Sequence, residues 1–108
     1  MILLLDNTVL SNFALVGQID LLPKALGGQV ATTAQVMGEF DDGVARGRLP
    51  KTDFTWLALI HLEAEEEIRL QKFLARVNMG EASCLAVASY RNGRFLTDDR
   101  DARKLAAP

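Results

Sequence analysis

Ile2-Leu3-Leu4-Leu5-Asp6-Asn7-Thr8-Val9-Leu10 decides the fold class. Residues 2–5 are apolar without alternation, as in a strand covered on both faces by helices. Asn7 or Thr8 then caps a helix carrying Val9, Leu10, Phe13, Ala14 and Val16, with Gly17 as its stop. A buried strand followed at once by a helix is the opening of a parallel α/β unit. Asp6 falls just past the strand's carboxyl end, where open parallel sheets gather their functional groups. Arg94-Phe95-Leu96-Thr97-Asp98-Asp99 repeats the arrangement near the other end of the chain.

Between these stretches, strand and helix patterns alternate. A short helix spans Asp20 to Leu26, with Pro23 in its first turn and Gly27-Gly28 ending it. Gln29 to Thr32 reads as a brief strand. Thr33 caps a helix running toward Phe40 or Val44, with Val36, Phe40 and Val44 on one face. After an exposed loop from Arg46 to Thr52, the apolar segment Phe54 to Leu62 reads as a third strand. Glu63 to Asn78 forms an amphipathic helix with Ile68, Phe73, Leu74 and Val77 inward and Glu65, Glu66, Glu67, Arg69 and Lys72 outward. Gly80 separates it from a helix over Glu81 to Tyr90, rich in small residues. Asn92-Gly93 turns the chain into a strand over Arg94 to Thr97, and Asp101 to Ala106 forms a last short helix. The order predicts a single domain over residues 1–108, a three-layer α/β/α sandwich on a mainly parallel sheet with right-handed crossovers.

Composition narrows the function classes. Twelve basic and fourteen acidic residues give a net charge of −2, which argues against strong nonspecific attraction to nucleic acid. The N-terminal apolar run is cut by Asp6 and lacks a basic leader, so it reads as neither signal peptide nor membrane span. One cysteine, Cys84, allows no internal disulfide, which fits a reducing, cytoplasmic setting. With one histidine, His61, and one cysteine, no Cys/His cluster of zinc spacing exists, and no glycine-rich phosphate loop is present.

What remains is a set of separated acids. Asp6 and Asp98-Asp99 follow strands, and Glu39 and Glu81 lie on helices between them. Carboxylates converging on one point repel one another unless divalent cations neutralise them. Hydrolysis of a phosphodiester needs an activated water, stabilised phosphoryl oxygens and help for the leaving oxygen. Mg²⁺ or Mn²⁺ held by carboxylates supplies all three.

Four segments in order, Leu5-Asp6-Asn7-Thr8-Val9-Leu10-Ser11, Val36-Met37-Gly38-Glu39-Phe40, Met79-Gly80-Glu81-Ala82-Ser83 and Leu96-Thr97-Asp98-Asp99-Arg100, resemble the PIN-domain ribonucleases, in particular the toxin-like branch allied to VapC. The resemblance implies Asp6, Glu39, Glu81 and Asp99 as catalytic metal-binding acids, with Asp98 a second or outer ligand and Asp101 a further contributor. It implies that the hydroxyls of Thr8 and Thr97 orient a carboxylate or a water. It also implies endonucleolytic cleavage of RNA by a homodimer that an antitoxin protein blocks. Family members usually continue past the helix at residues 101–106 into a short strand and a final helix. The expectation here is that both are missing, through truncation, degeneration or cover from a second copy.

Each acid alone has a structural reading: Asp6 as a helix cap, Glu39 as a solvated helix residue, Glu81 as a favourable charge in a first turn, Asp98-Asp99 as a capping turn. Four in register favour a site. The acidic run Glu63 to Glu67 reads as a solvated helix face, Cys84 as packed, and Trp56 and His61 as core or interface residues. Arg46, Arg48 and Lys51, with Arg91, Arg94, Arg100 and Arg103, are candidates for phosphate contacts. Two rival functions use the same residues. One is a noncatalytic PIN-like binding or assembly module; the other is a metal-dependent phosphatase or DNA nuclease.

Overall fold

The computed structural model describes residues 2–27 and 29–97. The elements run β1 (Ile2–Leu5), α1 (Asn7–Leu15), α2 (Leu21–Leu26), β2 (Gln29–Thr33), α3 (Ala34–Ala45), β3 (Ala58–Ile60), α4 (Ala64–Phe73), α5 (Met79–Arg91) and β4 (Arg94–Leu96). The four strands form one sheet in the order β3-β2-β1-β4, and every pairing is parallel. This is the α/β architecture expected from the alternation of strand and helix. The helix expected over residues 101–106 lies outside the described residues.

Strand β1 is central because its apolar run can be covered on both sides. Leu4 and Leu5 are fully buried, and β1 pairs with β2 from Ile2 opposite Gln29 and with β4 from Leu3 opposite Arg94. The chain leaves β1 toward β2, whereas the chain returning from β3 enters at β4 on the other side of β1. That reversal of direction opens a crevice beyond the strand ends. The main core joins Leu4, Leu5, Leu10, Val30, Ala31, Val36, Phe40, Cys84 and Val87. A smaller cluster of Leu70, Ala82 and Ala86 seals α4 against α5, where the small side chains of α5 permit close approach.

Several local expectations are corrected. Only Ala58–Ile60 of the segment 54–62 is strand. Asp53 accepts from the Thr55 N–H at 2.9 Å, the Leu57 N–H closes a turn on the Phe54 carbonyl, and the Trp56 indole N–H donates to the Asp53 carbonyl. Those local bonds curl the segment, and Phe54 packs edge-on against Phe40 with centroids 4.9 Å apart. His61 is exposed, while Trp56 packs against the core. Val16 ends α1 as an exposed residue.

The helix expected over 63–78 stops at Phe73, and α5 begins earlier than the Gly80 break suggested. Asn78 accepts from the Glu81 N–H at 3.0 Å, so this cap sets the boundary and Gly80 lies inside the first turn. At the other end, α5 closes on Asn92 in the left-handed region, with φ 55°. Gly93 follows because a Cβ there would stand 2.8 Å from the Ile2 carbonyl oxygen. The turn thus lays β4 directly against β1.

The inward face of α4 is also corrected. Ile68 is exposed, and Glu66 is fully buried instead of solvated. Its carboxylate takes both bonds of a fork from Arg91, Nε to Oε2 at 2.7 Å and Nη2 to Oε1 at 2.9 Å, and Oε1 also accepts from the Glu63 N–H. Burial pushes the Glu66 carboxyl up, but the Arg91 and Glu63 bonds prevail, and it titrates below its ordinary value of 4.5. A carboxyl held low in the folded state stabilises the fold above the unfolded value, and that contribution is lost as pH falls through the folded one. Arg91→Met is expected to cost about 2 kcal/mol at pH 7 by leaving a buried carboxylate short of donors. In urea unfolding followed by circular dichroism, the gap between variant and wild type should shrink as pH drops below 4.5.

Candidate functional site

The crevice beyond the strand ends is built around Asp6. Its backbone is extended, so it ends β1 and caps α1 at once, and its side chain is 2% exposed. Oδ1 accepts from the Asn7 N–H at 2.7 Å. Oδ2 accepts from the Thr8 hydroxyl at 3.0 Å and from the Thr97 hydroxyl at 2.7 Å. The cap is therefore Asp6 itself, and the two threonine hydroxyls orient its carboxylate. Asp6 N–H also donates to the Leu96 carbonyl at 3.1 Å, continuing the β1–β4 ladder past the strand ends.

Glu39 reaches the same end of the sheet from α3. Its Oε1 accepts from the Gly80 N–H at 2.9 Å. Burial, and then the negative charge of Asp6, raise its carboxyl above the ordinary 4.5, while the Gly80 bond pulls the other way. A Cβ on Gly80 would overlap the Glu39 carboxylate, so a larger residue there would displace that side chain from its bond to the Gly80 N–H. Glu81 follows in that turn, 4% exposed, with its Oε1 accepting from the Asn78 amide that caps the helix.

Beneath these acids lies a chain of hydroxyls that the sequence reading passed over as site residues. Thr33 caps α3 by accepting from the Val36 N–H at 3.1 Å, and its hydroxyl meets that of Ser83 at 2.7 Å. Ser83 donates to the Gly80 carbonyl at 2.6 Å, so its single proton is committed and Thr33 must be the donor between them. Thr32 donates to the Leu5 carbonyl at 2.7 Å, tying the end of β2 to the end of β1. Asn78-x-x-Glu81 was a readable signal, as a capping residue three positions before an acid. The Thr33–Ser83 pair, 50 residues apart, carried none. Cys84 is packed as expected, and its thiol is pushed far up by burial and by the charge of Asp6.

Asp6 and Thr8, Glu39, Glu81 and Thr97 thus come from four places in the chain to one end of the sheet. Asp98, Asp99 and Asp101 lie outside the described residues. Among the described residues, no three carboxylate, imidazole or thiol groups stand close enough to hold a metal ion. The donors present still suit a hard divalent cation, since they are all oxygen, and Glu39 is raised above its ordinary 4.5 by burial and then by the charge of Asp6.

These features define an open parallel α/β domain with acids gathered at its strand ends. A family model described as a PIN domain matches residues 2–108, and the chain belongs to the PIN-domain family, with its nuclease-like fold. No curated protein and no solved structure matches the chain.

An acid whose pKa is raised on folding supports the fold fully below its unfolded value and loses that support as pH rises through the folded one. Glu39→Gln keeps an acceptor for the Gly80 N–H and removes the repulsion with Asp6. Its melting temperature at pH 7 is expected to exceed that of wild type, with the advantage vanishing as pH is brought below 4.5. A lower melting temperature at pH 7 would contradict the electrostatic account.

Proposed function

We propose that this domain is a divalent-metal-dependent endoribonuclease that hydrolyses RNA phosphodiester bonds, a toxin-like PIN domain of the VapC type. The observation that carries this reading is the buried Asp6 carboxylate, oriented by Thr8 and Thr97 and electrostatically coupled to Glu39. Asp6, Glu39 and Glu81 would hold Mg²⁺ or Mn²⁺ together with Asp99 and, in an outer position, Asp98. The bound cation would supply a water of lowered pKa and charge stabilisation at the phosphoryl oxygens.

The chain's own residues do the positioning. Thr8 and Thr97 fix the rotamer of Asp6 with hydroxyl donors, the Gly80 N–H fixes Glu39, and Asn78 fixes Glu81. Because these donors sit on the ends of rigid elements, the acids need little reorganisation when charge develops near them. Asp101 would add a further oxygen beyond β4. The same reading carries a cytoplasmic homodimer restrained by an antitoxin protein. No helix among the described residues is long and apolar enough to cross a membrane.

A second reading is supported by the absence, among the described residues, of three groups close enough to hold an ion. It makes the domain a noncatalytic binding or assembly module. Mn²⁺ titration separates the two: saturable binding abolished by Asp99→Asn supports the nuclease, and no saturable binding supports the module. For activity, wild type with Mn²⁺ is expected to cleave single-stranded RNA, and Asp6→Asn to lose on the order of 10²-fold or more. Equal cleavage by both proteins would remove the mechanism, and cleavage of single-stranded DNA in preference to RNA would assign a DNA nuclease.

A further inference from the structure

Helix α4 changes sign along its length. Glu65, Glu66 and Glu67 occupy its first turn, and Arg69 and Lys72 follow, with Arg76 just beyond its end. The acids are engaged locally: Glu66 holds Arg91, and Glu65 stands 3.7 Å from Arg69. Lys72 and Arg76 make no ion pair among the described residues. Arg69 is fixed against α5, with Nη1 donating to the Ser89 hydroxyl at 3.2 Å and its guanidinium 5.1 Å from the centre of the Tyr90 ring. Tyr90 is itself 43% exposed.

Glu65, Arg69, Lys72, Arg76 and Ser89 line one depression. A cleft of about 480 Å³ is bounded by Arg69, Lys72, Arg76 and Ser89, with Phe73 in its wall and Glu65 as the one acid among its described lining residues. A neighbouring cleft of about 330 Å³ shares Phe73 and Ser89 and brings in Arg94. Four cations against one anion is the reverse of the chain's overall charge of −2. The phosphate-contact candidates from the sequence are partly used elsewhere, since Arg46 pairs with Asp42 and Arg91 with Glu66.

The row also has a direction. Glu66 meets Arg91 and Leu70 meets Ala82 and Ala86, so α4 runs antiparallel to α5. Arg69 therefore lies beside the C-terminal end of α5, and Arg76 lies two residues before Asn78, which caps the turn carrying Glu81. We propose that Arg69, Lys72 and Arg76, with Tyr90, form a track for the backbone of single-stranded RNA that leads toward the acids at the strand ends. The choice of RNA over another polyanion rests on the nuclease reading.

The chemistry fits a strand held by its backbone. Arg69 and Lys72, three residues apart on α4, and Arg76 in the following turn line one cleft and can contact successive phosphates, and an exposed aromatic ring can stack on a base of any identity. The polar groups among the described lining residues of the two clefts are mostly cations suited to phosphate oxygens, so backbone contacts should dominate binding.

The test is fluorescence anisotropy with a labelled 12-nucleotide single-stranded RNA, in EDTA, across a salt series. Removing two phosphate contacts should flatten the slope of log K against log salt by about 1.4 in Lys72→Gln/Arg76→Gln, with the melting temperature unchanged. Tyr90→Leu should weaken binding roughly fivefold or more. An unchanged slope and affinity in the double variant overturns the track, as does equal competition by an oligoglutamate peptide, which would mark a surface for acidic proteins. Wild-type protein that binds RNA with this dependence yet never cleaves it removes the nuclease reading and leaves the track standing. Cleavage with binding indifferent to Lys72 and Arg76 removes the track alone.

Discussion

The bond between the Thr97 hydroxyl and the Asp6 carboxylate spans 91 residues and closes the sheet's working end. Removing a carboxylate from water is costly unless donors replace the lost hydration. Here the Asn7 N–H, the Thr8 hydroxyl and the Thr97 hydroxyl do so. The same carboxylate starts α1, so its roles as a helix cap and as a candidate ligand are not alternatives. Its charge reaches outward as well: it raises Glu39 and contributes to the suppression of the Cys84 thiol.

The neighbouring acids are held by a second, independent set of bonds. Thr33 donates to Ser83, Ser83 to the Gly80 carbonyl, and the Gly80 N–H to Glu39. This path links the start of α3 to the start of α5, and then returns to α3 at Glu39. The missing side chain at Gly80 is what allows two helix segments and a carboxylate to occupy that space. Burial and the nearby charge of Asp6 both disfavour the ionised form of Glu39, which is the strain expected where stability gives way to function.

Away from the crevice, Glu66 and Arg91 anchor the α4–α5 hairpin, and their pairing reshapes the surface charge. It takes the arginine that the sequence offered for phosphate, while Lys72 and Arg76 stay exposed. The acidic first turn of α4 and the cations that follow it thus have different fates, because α5 brings Arg91 against the first and Ser89 and Tyr90 against Arg69.

Much of this was legible in advance because it is local. An unbroken apolar run before Asp6, a helical period through Val36 and Phe40, and the Asn92-Gly93 turn each depend on neighbours a few residues away. The boundaries went wrong where a short-range bond outweighed composition: Asp53 curled a segment rich in strand formers, and Asn78 outweighed Gly80 as a helix start. Periodicity placed Ile68 inside and Glu66 outside, because it cannot know that Arg91 arrives 25 residues later with both prongs of its fork. The sequence by itself determined the parallel α/β class, since strand ends and helix starts are written in contiguous residues, and it offered Asp6, Glu39, Glu81 and Asp99 as candidate acids. Only the tertiary structure decided that Thr97 and Thr8 share one oxygen of Asp6, that Gly80 cradles Glu39, and that Thr33 reaches Ser83. Those contacts join residues whose separation along the chain leaves no periodic trace, and they exist only once the sheet has brought its strand ends together.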